Sequence, residues 1–307
     1  LRSFPALNLP ERRNLLALRL IVSALFAFAL TSSRAQELKL QDGVCISIDG
    51  IDCLAPAWSP DGKQVVFQAK NEGHGELYCY FPDSARVDRL LSSRFSLSNP
   101  LWHPNGGQIV FDSDSLGYPA LFVYSLSEKT ISRLIYRDVV ATEASFASSG
   151  RQVYFSGLDE ISGIWQIFSY DFVYDNLNQL TENESDSRHP EVAPDGKKIM
   201  YYKSPSPFLP EKYQLINWYG ETQTEFLIRG GAHVCWEPQG LKVYFIQDGE
   251  NGKNQLFSMW TDGSHLEQLT SEDLNFSHPT LSPDGKHIIL TAEEEGHSKL
   301  YIWRMPE

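Results

Sequence analysis

The stretch SHPTLSPDGKHIIL, residues 277–290, couples a Pro-Asp-Gly turn to a run of alternating apolar residues. The same phrase stands earlier as RHPEVAPDGKKIMY (188–201) and as APAWSPDGKQVVF (55–67). With the turn glycine as anchor, copies fall at Gly62, Gly106, Gly150, Gly196, Gly240 and Gly285, spaced by 44 to 46 residues. A period of this length signals a solenoid or a propeller. The copies ending at Gly150 (ASSG) and Gly240 (EPQG) have lost most of the turn residues but keep the glycine.

The flanks agree as well. Five residues after each anchor stand Phe67, Phe111, Phe155, Tyr201, Phe245 and Leu290. Alternation on both sides of a Pro/Asp/Gly turn predicts a hairpin, with the glycine taking the positive φ the turn requires. A third apolar run follows in each copy (ELYCYF, ALFVYSL, IWQIFSY, YQLINWY, QLFSMW, KLYIWRM), and a fourth carries Leu90, Leu134, Leu180 and Leu269. Each unit is therefore a meander of four strands, a to d, which is one propeller blade.

The sixth copy has room for strands b and c after Gly285 but not for d. Ile46 lies sixteen residues before Gly62, the offset shared by the four leucines. The expected fold is all-β: a six-bladed β-propeller in which an N-terminal strand from 43–49 completes the last blade. The blades are expected near 55–91, 99–135, 143–181, 189–229, 232–270 and 277–305, within one domain of residues 36–307. Exchange of strands between the ends leaves no open seam.

Residues 1–35 read differently. Arg12, Arg13 and Arg19 precede the apolar run LIVSALFAFAL, and Ser33 and Ala35 occupy small-residue positions of a cleavage site. This predicts a secretory signal peptide, with a membrane anchor as the competing reading. An exported chain, periplasmic or extracellular and without an integral membrane segment once cleaved, is the expectation. The whole chain carries a net charge of −13, and loss of the arginine-rich leader makes it more acidic. That argues against nucleic acid as a partner. Cys45, Cys53, Cys79 and Cys235 form no CxxC pair; Cys45 and Cys53 could bridge in an oxidising compartment or stay free.

These repeats, PAWSPDGKQVVF and HPTLSPDGKHIIL in particular, resemble the WD-like β-propeller repeat of the TolB family, over residues 43–305. The resemblance implies a six-bladed propeller that binds a protein of the cell envelope, here as a propeller without the N-terminal α/β domain of that family. The repeat also precedes hydrolase domains in prolyl-oligopeptidase-like peptidases, but no GxSxG elbow occurs in this sequence.

Two candidate sites follow. The d–a and b–c loops are rich in acid (Glu182, Glu184, Asp186, Glu272, Asp273, Glu293), whereas the SPDG turns carry Lys63, Arg151, Lys197 and Lys286. One face should focus cations or basic segments toward the channel mouth. Partner-binding candidates are Asn99, Glu184, Asp186, Glu272 and Asp273, together with Phe208 and Leu209 on the Pro-stiffened loop KSPSPFLPEK. The second site lies seven residues before each anchor, where Ala55, Asn99, Glu143, His189, His233 and His278 stand. His189, His233, His278 and Glu143 form a candidate ligand set for a divalent transition metal. The oxygens of DSDSLGY, from Asp112, are a candidate for calcium, though without the spacing of a calcium loop.

The function expected is a non-enzymatic envelope scaffold that needs no cofactor and holds a protein or peptide partner on its acidic face. The alternative is a metal-dependent enzyme resembling oligogalacturonate lyase, with a His-bound metal at the channel mouth.

Overall fold

The computed structural model describes residues 38–306 apart from 49, 72–73, 205–210, 229 and 231–232. The expected leader and the loop residues Phe208 and Leu209 lie outside the described residues. Within those residues the strands form six four-stranded antiparallel sheets, five of them consecutive in sequence. The sixth has the order d-c-b-a, with d supplied by Val44–Ile46. Val44, Cys45 and Ile46 lie opposite Ile302, Tyr301 and Leu300. The expected closure of the ring is thus present. It is reinforced ahead of the strand, where the Leu38 N–H donates to the Leu269 carbonyl at 2.7 Å and the Trp303 indole N–H to the Lys39 carbonyl at 2.8 Å.

The core sits between neighbouring blades. Phe67, Phe111, Phe155, Tyr201, Phe245 and Leu290 are all buried. The first five each pack in a cluster that joins their own blade to the preceding one, as Phe111 does with Val66 and Leu77. Burial of such side chains stabilises by roughly 1.5–3 kcal/mol apiece, so the interfaces between blades hold the ring together. The a–b turns follow the sequence logic. Gly62 has φ +70° and donates to the Ser59 carbonyl. Asp61 accepts from the Ser59 hydroxyl at 2.6 Å and from the Lys63 N–H at 3.1 Å. The degenerate copies keep the same backbone, with φ +68° at Gly150 and +71° at Gly240.

All four cysteines are free; Cys45 is exposed on the outermost strand and Cys53 is buried on an innermost one. Among the described residues no helix is long and apolar enough to cross a membrane.

One irregularity recurs. Strand a of blade one (Asp52–Trp58) skips a step against strand b between Leu54 and Ala57, so that Ala55 and Pro56 oppose a single residue. The same bulge lies between Ser98 and Leu101, Thr142 and Ser145, Arg188 and Glu191, and Ser277 and Thr280. The first bulged residue is always left-handed: φ is +48° at Ala55, +47° at Asn99, +57° at Glu143, +54° at His189 and +49° at His278. A proline comes next in four of the blades (Pro56, Pro100, Pro190, Pro279). Lacking an N–H, proline suits an innermost edge strand at a step where no ladder bond is made.

Candidate functional site

The bulges set the direction of the side chains that follow the d–a loops. A bulge bends its strand and re-aims the residue it carries, and a non-glycine residue pays roughly 1–2 kcal/mol for the left-handed conformation. Here the strain recurs on successive blades at one level of the channel. Ala55, Asn99, Glu143, His189, His233 and His278 all line one central cavity of about 300 Å³. The residues singled out seven positions before each anchor therefore do converge.

The three imidazoles stand side by side. The His189 and His233 rings have centroids 4.8 Å apart, and those of His233 and His278 are 3.8 Å apart, tilted by 36°. Burial lowers the pKa of all three. His233 is held well below its ordinary value, with like charge from its two neighbours adding to the effect, and His278 is brought down to about 4. Burial thus works against charge on each imidazole, opposed at His189 by the nearby Glu143 carboxylate. The His278 Nδ1 lies 2.9 Å from the Ser277 hydroxyl, and the His233 carbonyl accepts the Tyr213 phenol at 2.8 Å.

Glu143 anchors one end of the row. Its carboxylate accepts the Arg188 guanidinium at 2.6 and 3.2 Å, the Ser156 hydroxyl at 2.6 Å and the His189 backbone N–H at 3.1 Å. Burial alone would raise its pKa. The charges of His189 and Arg188 and these hydrogen bonds outweigh burial and hold it below the usual range. Arg188 also lies over the Trp165 ring at 4.4 Å. Asp112, the first residue of the DSDSLGY calcium candidate, is buried at the end of a b strand. It accepts from Asn99 Nδ2 at 2.7 Å, from the Glu143 N–H at 3.1 Å and from the Thr142 hydroxyl. Burial pushes its carboxyl up to about 7 despite these donors. Asp112 and Ser156 thus play one role in successive blades: each ties the bulge residue of its own blade to the bulge N–H of the next.

Two residues further along each a strand lies a second ring that lines the same cavity: Ala57, Leu101, Ser145, Glu191, Cys235 and Thr280. Sequence reasoning missed this ring. Its signal was available, because Glu191 is the one charged residue at that repeat position. The Glu191 carboxyl has a single long hydrogen bond, from the Ser145 hydroxyl at 3.4 Å, and burial pushes it up to about 8. Burial also raises the pKa of the neighbouring Cys235, which stays a thiol.

The loop candidates lie in the d–a loops that lead into strands a of blades four and six. Glu184 and Asp273 are exposed, and Asp186 and Glu272 are half-buried. Asp186 accepts the Trp165 N–H at 3.0 Å, and the Glu272 carbonyl accepts Asn251 and Gln255 side-chain amides. The DSDSLGY oxygens are not gathered around one point. Asp112 turns to the blade interface, while Asp114 accepts the Ser96 N–H at 3.0 Å.

A family model described as the TolB beta propeller domain matches residues 34–234. A curated relative, the uncharacterized peptidase YuxL of Bacillus subtilis, is 33% identical over 116 residues, which are 36% of this chain and 18% of that protein. This chain thus spans under a fifth of that relative. Among solved structures, TolB from Acinetobacter baumannii superposes with a TM-score of 0.60 at 17% identity, over 96% of this chain and 71% of that one. An oligogalacturonate lyase in complex with manganese gives a TM-score of 0.60 at 11% identity, over 90% of this chain and 99% of that one. At such identities the two structures speak for the fold alone.

Proposed function

The chain belongs to the TolB β-propeller family, and on that premise we propose that it is an exported, non-enzymatic scaffold that receives a protein or peptide partner at the channel mouth. One observation carries this reading. Strained, left-handed residues recur at the same level of the channel and all face one cavity. Backbone strain repeated in this way is characteristic of sites that hold a ligand. The exposed acids Glu184 and Asp273 surround that mouth and would steer a basic segment toward it.

The test is site-specific photo-crosslinking in cells. A crosslinker at Glu184 or Asp273 should trap a partner, and one at Arg151 or Lys242 on the opposite face should not. Charge reversal (Glu184→Lys with Asp273→Lys) and raised salt should both abolish capture, whereas His233→Ala should retain it. Capture only through the Arg151 face, or capture indifferent to salt, overturns the reading.

The row of imidazoles favours a second reading, a metal-dependent enzyme. The donor chemistry of His189, His233 and His278 suits a transition metal. The arrangement does not: His233 and His278 pack ring on ring, Glu143 is committed to Arg188, and no group of three among the described residues has metal-holding geometry. We derive no catalytic step from it. Elemental analysis of purified protein, with thermal melts in added manganese, zinc and calcium, decides the matter. Metal well below one equivalent and no rise in Tm would remove this reading.

A further inference from the structure

The lower ring of the channel contains a carboxyl group with nothing to balance it. Glu191 lines the cavity, and among the described residues no lysine, arginine or histidine forms an ion pair with it. A carboxylate offers about four acceptor positions, and here one long contact from Ser145 uses one of them. Its neighbours supply no charge. Cys235 stays a thiol, and burial works against charge on the three imidazoles above it. The nearby guanidinium of Arg188 is already taken by Glu143 and Trp165. A half-buried carboxyl with so few partners leaves acceptor positions that a cation or a donor in the cavity can fill.

The space has the form such a group needs. The cavity holds about 300 Å³, room for roughly ten waters at about 30 Å³ each. On blades one and two its walls are Ala55, Ala57, Leu101 and the Trp58 and Trp102 rings, apolar surface for a methylene chain. On blade four the same cavity ends in a single carboxyl. Apolar walls facing an acid without a cationic partner, Glu143 being paired with Arg188, suit a slender chain tipped with positive charge, and the acidic mouth attracts such a chain.

We propose that the channel is a receptor for a primary ammonium group presented by the partner, with Glu191 as its counter-charge and Ser145 beside it. This rests on the scaffold reading above and specifies the partner's chemistry: a lysine side chain or a free peptide N-terminus inserts past the histidine row. Binding replaces the missing counter-ion, so it draws the proton off Glu191 and is strongest where the amine is charged.

The experiment uses the full propeller and short peptides, with affinity followed by NMR titration. The probes are acetyl-Gly-Lys-Gly-amide, its norleucine and Nε-acetyl-lysine counterparts, and triglycine amide with a free N-terminus. The expected result is binding of one or both charged amines, the two arms telling side chain from N-terminus, with no binding of the uncharged analogues. Glu191→Gln, which keeps the shape and the Ser145 contact, should weaken amine binding at least tenfold while its Tm is not lowered. Equal affinity in the Gln variant, or equal binding of the norleucine peptide, overturns the proposal, as does a folded wild type that binds neither amine. The two readings fail separately. If Glu191→Gln still captures the cellular partner while Glu184→Lys with Asp273→Lys does not, the ammonium receptor falls and the scaffold stands. If the loop reversals leave capture intact, the scaffold reading falls on its own.

Discussion

Glu143 on blade three accepts the backbone N–H of His189 on blade four at 3.1 Å, while its other oxygen takes the Arg188 guanidinium at 2.6 Å. One side chain thereby fixes the entry of the next blade and neutralises the half-buried cation there. Glu143→Ala leaves Arg188 without its partner and the His189 N–H without an acceptor. Loss of about 2–4 kcal/mol in urea unfolding is expected, more than for an exposed ion pair. Glu143→Gln, which keeps acceptors but not charge, should cost less.

The histidine row makes the protein acid-sensitive in a defined window. The folded-state pKa of His278 is about 4, below its ordinary 6.5. Between those values the unfolded chain binds more protons, so stability is full above about 6.5 and is lost as pH falls toward 4. The groups that face the row are Lys70, Arg188 and Glu143, and burial is the leading cause. Replacement of His278 by Gln should flatten the pH dependence of Tm across this window, by up to about 1.4 kcal/mol per pH unit.

Glu191 acts on the other side. Its folded-state pKa of about 8 exceeds the ordinary 4.5, so its contribution is complete below about 4.5 and is lost as pH rises toward 8. Cys235 feels the charge of Glu191 and stays protonated throughout that range. Glu191→Gln should remove this decline and leave the variant more stable than wild type at pH 8, as read by chemical denaturation at several pH values. A site retained at a cost in stability is what a binding role predicts.

The bulge can be tested at Ala55 without removing a polar group from the cavity. Ala55 has φ +48° and a side chain too small to reach across the cavity. Left-handed geometry costs alanine roughly 1–2 kcal/mol, and glycine adds about 0.4–1 kcal/mol of entropy to the unfolded chain. The first term is the larger, so Ala55→Gly should raise stability by about 0.5 kcal/mol. The same change in a regular strand would lower it.

Much of this architecture was legible in the sequence, because a propeller repeats its grammar. The anchors Gly62 to Gly285 set the blade count, and the offset of Ile46 placed the closing strand. The position of His189, His233 and His278 ahead of the turn gave their convergence. The left-handed backbone beneath them was not legible, since a residue before proline is ordinarily extended and alanine, asparagine, glutamate and histidine share no preference for this bulge. Asp112 was read as a calcium-candidate oxygen in a loop because strand ends blur by a residue or two. Glu191 escaped because alternation marks which residues face inward, and on an innermost strand one inward face is the channel rather than the core.

Closure of the last blade reverses the usual order of assembly. Val44–Ile46 is made first and seated last, because its partners Leu300, Tyr301 and Ile302 lie at the far end of the chain. Without that pairing the last blade would end in an unpaired edge. Contacts of such sequence separation slow folding, and they make the propeller all-or-none: the cavity that Glu143, Glu191 and the histidines share has walls only once the first strand has met the last.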